Sequence, residues 1–235
     1  MPKSEGMARG GGAWRLSPSD FGFLWNECKR CFYLKVARGY PRPFGTFPKI
    51  FGVIDTAMKE YFEGKEISSI VPELPSGIVQ AGEKKVESTP IEVPGHPGQC
   101  YIYGNFDTIV KFADGGWGVI DFKTSETKPE KAVLYAPQLH AYAYALENPA
   151  PGKPKLAPVT RLGLLCVEPF AMDRSPENLY RYLGKPAWIE IKRDDAKFMN
   201  LLGEVLDVLS LKEPPKAGLK CPHCAYREKA RETGL

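Results

Sequence analysis

The sequence predicts an α/β domain, and three observations carry that prediction. Segments with helical apolar spacing and segments with strand-like alternation interleave along the chain instead of segregating. A hairpin is written out between Tyr103 and Thr124, YGNFDTIVKFADGGWGVIDFKT, with Asp114-Gly115-Gly116 at its turn. Helix-period stretches lie on both sides of it, before it around 17–34 and 49–62 and after it around 136–147 and 194–211.

Composition narrows the class. The chain has 235 residues, enough for one sizeable core. A hydrophobic content of 43% excludes a disordered chain. A net charge of +4 is compatible with a nucleic-acid partner but requires any basic footprint to be local. No apolar run approaches a membrane span, and Met1–Trp14 lacks a signal-peptide core, so a cytoplasmic location is expected. Six cysteines in such a chain point to metal binding or reactivity before disulfides.

Each element has its own justification. Residues 1–13 are Gly-rich and polar and are expected to be a flexible tail ahead of a single domain over 14–235. Ser17-Pro18-Ser19-Asp20 fits a helix start, with Ser17 as N-cap, Pro18 in the first turn and Asp20 in the reciprocal capping-box place. That helix carries Phe21, Leu24, Trp25 and Cys28 on one side and is expected to continue toward Leu34. YPRPFGTFP, from Tyr40 to Pro48, is a connector. Lys49–Phe62 is a second helix, with Ile50, Ile54, Ala57 and Tyr61 in phase and Asp55 one turn before Lys59. Weak strands are expected at Gly77–Gln80 and Lys84–Val93, the latter facing the hairpin, with a turn at Gly95–Gly98. Ser125–Lys131 is a polar loop before a helix over Ala136–Glu147. Strands follow at Thr160–Val167 and Ala187–Ile191, then an amphipathic helix at Asp194–Leu211.

The hairpin carries the chemistry. Val119, Asp121 and Lys123 share one face of the second strand because strand side chains alternate. Asp107, on the partner strand, can aim a second carboxylate at the same point. Two convergent carboxylates attract a hard cation such as Mg²⁺ or Mn²⁺. A lysine beside them can stabilise negative charge developing at a phosphate. The plain alternative is a solvated polar face with a weak ion pair.

Gly104-x-x-Asp107 followed by Asp121-x-Lys123-Thr124 resembles the active-site hairpin of the PD-(D/E)XK nuclease superfamily, in its RecB-like branch. The resemblance implies a restriction-endonuclease-like core, a central mixed sheet flanked by helices. It implies Asp107 and Asp121 as catalytic metal ligands, the Phe122 backbone facing the metal, and Lys123 assisting attack by water. Gln138-x-x-x-Tyr142 resembles the helix that follows this strand in the branch, where it orders the site and touches the nucleic acid. A histidine common on the preceding helix corresponds here to Asp55, either a further metal ligand or a surface partner of Lys59. Glu92 is a weaker candidate for positioning water. The resemblance implies a Mg²⁺- or Mn²⁺-dependent deoxyribonuclease acting on single strands or ends, as an exonuclease before an endonuclease, in DNA repair, recombination or CRISPR adaptation. A helicase or integrase partner fits that setting.

Two CxxC pairs, Cys28-x-x-Cys31 and Cys221-x-x-Cys224, bracket the domain and together can complete one metal site joining its ends. By spacing alone they suit zinc, and Cys221-Pro222-His223-Cys224 resembles a zinc knuckle. The family resemblance favours a [4Fe–4S] cluster instead, although the family draws one cysteine from before the core and three from after it. Cys100 and Cys166 look like small buried side chains. Lys29, Arg30, Lys35 and Arg38, interleaved with Phe32, Tyr33 and Tyr40, combine phosphate-binding charge with rings that stack on bases. Two rivals from other classes are a non-catalytic nucleic-acid-binding module on a nuclease-like scaffold and a zinc-ribbon adaptor.

Overall fold

The computed structural model describes residues 12–43, 45, 48–80 and 85–234. In chain order the elements begin with β1 (Ala13–Leu16), α1 (Pro18–Asp20) running into a π-type turn at Phe21–Trp25, α2 (Lys29–Arg38) and α3 (Lys49–Phe62). Then come β2 (Gly77–Gln80), β3 (Lys85–Glu87), β4 (Ile91–Glu92), β5 (Gln99–Asn105), β6 (Thr108–Phe112) and β7 (Trp117–Lys123). The chain continues with α4 (Glu130–Glu147), β8 (Val159–Arg174), β9 (Tyr180–Ile191), α5 (Asp195–Leu209) and α6 (Pro222–Glu232).

The expected hairpin forms. Thr108 pairs with Ile120 and Lys111 with Trp117 across an antiparallel β6–β7 ladder. Gly115 closes the turn at φ +89, where a side chain would be strained, and the Asp114 carboxylate accepts the Gly116 N–H at 2.8 Å. The hairpin is the middle of a five-stranded sheet in the order β2-β6-β7-β8-β9. β7 and β8 run parallel, which demands a crossover, and α4 supplies it. The other pairings are antiparallel, so the sheet is mixed.

Both faces of this sheet are covered, and the period of two sorts its residues between them. On one face Val119, Leu162, Leu164 and Cys166 join a core with Leu139 and Leu146 of α4 and Phe198, Leu202 and Leu206 of α5. On the other, Val110, Ile120, Phe122 and Leu165 pack with Ile67, Val71 and Leu74, with Met58 and Phe62 of α3 alongside. No helix among the described residues is long and apolar enough to cross a membrane.

Several expectations need correction. The tail expected over 1–13 lies outside the described residues as far as position 11, and Ala13 already belongs to β1, parallel to β5. Ser17 makes no side-chain cap; its hydroxyl meets Ser19, and Asp20 accepts an ion pair from Lys35 at 2.7 Å instead of closing a capping box. The first helix is also interrupted, with a π-type turn and a break at Asn26–Cys28 before α2. Lys84 lies outside the described residues, and the rest of the Lys84–Val93 stretch divides into β3 and β4. Both pair with β5 in a second sheet, β3 against Tyr103–Asn105 at the start of the hairpin stretch and β4 against Gln99–Cys100 before it, and neither joins the β6–β7 ladder. β8 and β9 are much longer than Thr160–Val167 and Ala187–Ile191, because they zip together as a two-stranded ribbon beyond the sheet. The helix expected from Ala136 starts at Glu130 and carries Pro137 inside it.

Polar ties fix α4 against α5. His140 Nδ1 meets the Ala136 carbonyl at 2.7 Å and its Nε2 accepts the Asp194 N–H at 2.8 Å. The Asp194 carboxylate then caps α5 through the Lys197 N–H. Arg193 makes a bidentate pair with Glu147 at the C-terminal end of α4.

Candidate active site

The catalytic candidates gather at the C-terminal end of β7. Asp121 and Lys123 share a face, as strand alternation requires, and that face lies under α4. Asp121 is 4% exposed and its Oδ2 pairs with the Lys123 ammonium. Its Oδ1 accepts the Gln138 side-chain amide at 3.1 Å. Tyr142, one turn further along α4, donates its hydroxyl to the Asn105 carbonyl at the end of β5. Asp107 stands in the link between β5 and β6, where its Oδ2 accepts the Phe122 N–H at 3.2 Å. The structure therefore brings Asp107, Asp121, Lys123, Gln138 and Tyr142 into one connected site. Phe122 contributes its N–H there, while its ring packs on Phe62 in the opposite core at 5.6 Å.

Asp55 arrives indirectly. Lys59 reaches Asp55 and Asp107 at 2.7 Å each, so an ammonium stands between α3 and the hairpin. Asp55, Asp107 and Asp121 do not form a single close ligand set; among the described residues the four cysteines do. Glu92 sits on β4 of the other sheet, where it accepts from Gln99.

Charge in the site is unevenly solvated. Burial, followed by the neighbouring Asp107 charge, pushes the Asp121 carboxyl up to about 7 against the opposing pull of Lys123. Burial alone would pull the Lys123 ammonium down, but Asp121 beside it outweighs that and keeps it protonated. Lys59 is held charged in the same way by Asp107 and Asp55. Burial and the nearby carboxylates raise the Tyr142 phenol, so it acts as a neutral donor. The donor set is made of hard oxygens, two carboxylates repel each other in a dry setting, and ammonium groups lie against both. Such a set fits a hard divalent cation.

Two contributors escape sequence reasoning. Lys59 looked like the surface half of an i,i+4 pair, and nothing in its spacing announces Asp107. Tyr135 places its ring 4.6 Å under the Lys123 ammonium. Its signal was available, since 135, 138 and 142 follow one helical face, but the helix was expected to start after it.

The four cysteines converge at the far ends of the chain. Cys28–Cys224 and Cys31–Cys221 sulfurs lie 3.7 Å apart and Cys31–Cys224 3.6 Å. All four are buried and outside any disulfide, and their sulfurs lie within 4.8 Å of one another. Burial alone would raise the Cys28 thiol, but the Gly218 and Cys31 backbone N–H groups outweigh it and bring it down to about 6. Cys100 and Cys166 are buried apart from this group; burial pushes Cys100 up to about 12, an inert thiol.

The four basic candidates of α2 are divided in their contacts. Lys29 pairs with Glu204 at 3.4 Å over the Trp25 ring, Lys35 with Asp20, and Arg38 donates to the Lys212 carbonyl at 3.0 Å. Arg30 lines a groove with Tyr40, Arg227 and Arg231. A second surface was invisible in the sequence. In the β8–β9 ribbon, Glu168 stands opposite Lys185 and Asp173 opposite Arg181, a self-compensated face. On the other face Met172 stands opposite Tyr182 and Arg174 opposite Tyr180, rings and a cation without a carboxylate. Tyr180 and Tyr182 are each 63% exposed.

A family model described as the PD-(D/E)XK nuclease superfamily matches residues 56–229. No curated protein matches the chain. Among solved structures, one titled "Crystal structure of SSO0001" is similar at 16% identity, covering 91% of this chain and 84% of its own, with a TM-score of 0.49.

Proposed function

The chain belongs to the PD-(D/E)XK nuclease superfamily, and from that premise we propose that it is a Mg²⁺- or Mn²⁺-dependent deoxyribonuclease acting on single strands or ends. The observation that carries the proposal is the buried Asp121, paired with Lys123, backed by Gln138 and repelled by Asp107. Asp107, Asp121 and the Phe122 carbonyl would hold the cation, which when bound would supply a water of lowered pKa and charge neutralisation at the phosphate.

The protein's own groups do the positioning. Gln138 fixes the rotation of the Asp121 carboxylate, and the Phe122 N–H fixes that of Asp107. Lys123, held protonated, offers its ammonium to the negative charge that builds on the phosphate oxygens. Tyr142 ties α4 to the end of β5, so the helix bearing Gln138 cannot drift from the hairpin. In this proposal the ribbon, which continues β8 past the level of Lys123, binds the strand through Tyr180, Tyr182 and Arg174. Arg30 and the exposed half of Lys29 add phosphate contacts, because an exposed ion pair such as Lys29–Glu204 is weak enough to exchange partners. Exonucleolytic action and a place in DNA repair, recombination or CRISPR adaptation are part of the proposal, with a helicase or integrase as partner.

The test is cleavage of end-labelled single- and double-stranded DNA in Mn²⁺ by the wild type and by Asp121→Ala. Cleavage by the wild type and near-complete loss in the variant are expected, because phosphodiesters are too inert to break without the site. Equal cleavage by both would remove the hairpin from the chemistry. DNA binding without cleavage by either would favour a binding module.

A further inference from the structure

The four cysteines sit at two matching places. Cys28 is the N-cap of α2 and Cys31 lies in its first turn; Cys221 is the N-cap of α6 and Cys224 lies in its first turn. Two helix N-termini thus point their positive ends at one cluster of sulfurs. Four thiolates bound to one zinc at about 2.3 Å occupy the corners of a tetrahedron with edges of about 3.8 Å. Three of the six sulfur pairs here, at 3.6 to 3.7 Å, match that edge, and all four sulfurs lie within 4.8 Å of one another. A four-iron cluster bonds each thiolate to a different corner iron, which spreads the sulfurs across the whole cluster and out of contact with one another.

We propose that Cys28, Cys31, Cys221 and Cys224 hold a single tetrahedral Zn²⁺, in a closed structural site that clips the two ends of the domain together. With four protein ligands no coordination position is left for a substrate or a catalytic water. The proposal stands on the sulfur geometry and is independent of the nuclease reading.

The surroundings suit such a site. Four thiolates on a divalent ion leave two negative charges. The Arg42 guanidinium donates to the Cys221 sulfur at 3.4 Å and is itself held by Glu27. The Gly218 N–H donates to the Cys28 sulfur at 3.3 Å. A Cβ at Gly218 would lie 2.7 Å from the Glu27 carbonyl, so only glycine lets this strap close over the Cys28 turn. Arg42 is a positioning residue that acts on the metal through the sulfurs.

The test uses the full chain purified anaerobically without added metal, followed by elemental analysis. One zinc per chain in a colourless protein is expected, and exchange with Co²⁺ should give the intense visible bands of a tetrahedral thiolate site. Iron with acid-labile sulfide would overturn the proposal, and so would a folded chain carrying no metal. Arg42→Gln should lower zinc affinity in a chelator competition by about 10- to 100-fold while leaving the cobalt spectrum tetrahedral. An unchanged affinity would overturn the part assigned to Arg42.

Discussion

Asp121 shows how a single residue can be costly to the fold and useful to the chemistry. Its carboxyl is pushed up to about 7 from an ordinary value of 3.8, so the folded chain binds its proton more tightly than the unfolded chain does. The sign follows. Stability is full below the unfolded value, falls as pH rises between about 3.8 and 7, and stays reduced above that. Asp121→Asn keeps the shape and removes the charge. In chelator at pH 7.5 it should be more stable than the wild type by on the order of 2 kcal/mol, a rise of about 5 °C in Tm. At pH 4.5 the two should melt much closer together. Added Mn²⁺ should raise the wild-type Tm and leave the variant unmoved, since a cation stabilises only the state that binds it. Melting curves at both pH values, with and without Mn²⁺, check all three outcomes. Lys59 teaches the complementary lesson. Its spacing from Asp55 was legible, but its bond to Asp107 joins residues far apart in the chain, and no local pattern encodes it.

At the scale of elements, close approach decides which substitutions are tolerated. β5 passes beneath α1 and α4 at Gly104, where a Cβ would meet Pro18 at 2.7 Å and the Tyr142 ring at 3.5 Å. Gly104→Ala should therefore destabilise the protein by about 1–3 kcal/mol, seen in urea melts, by forcing the rigid Pro18 ring at the start of α1 away from β5. The ribbon makes the opposite prediction. Tyr180 and Tyr182 are exposed, so replacing both with alanine should leave the melting temperature within a degree or two. The same variant should weaken binding of single-stranded DNA by about 10- to 100-fold, measured by fluorescence anisotropy with a labelled oligonucleotide. The ribbon escaped sequence reasoning because Pro169 and Pro186 and the mixed polar pattern between 168 and 187 hide the strand period. Only the pairing across 12 positions of register restores it.

At the scale of the whole molecule, the cysteine site ties a C-terminal segment that contributes little packing of its own to α2, whose Phe32, Tyr33 and Val36 lie in the core. α6 buries only Cys224, and its other residues are half-buried or exposed. Stripping the metal with a mercurial or strong chelator should release the C-terminal segment first. Limited proteolysis should then cut after Leu209 before it touches the five-stranded sheet, while the metal-loaded chain resists. Simultaneous loss of both regions would show that the clip supports the core itself.

Local chemistry made the central hairpin, the face shared by Asp121 and Lys123, the Gln138–Tyr142 spacing and the paired CxxC motifs readable from the chain alone. Alternation, turn residues and ligand spacing act over a few residues and leave their mark in order. The tertiary structure alone decided that β3 and β4 pair with β5, that Asp20 answers Lys35 instead of capping a helix, and that Lys59 reaches Asp107. It also decided that the four sulfurs meet within 4.8 Å of one another, with three pairs at 3.6 to 3.7 Å, distances that ligand spacing could not supply. These contacts depend on which distant segments the hydrophobic cores bring together. That choice is a property of the packed whole and leaves no local period to read.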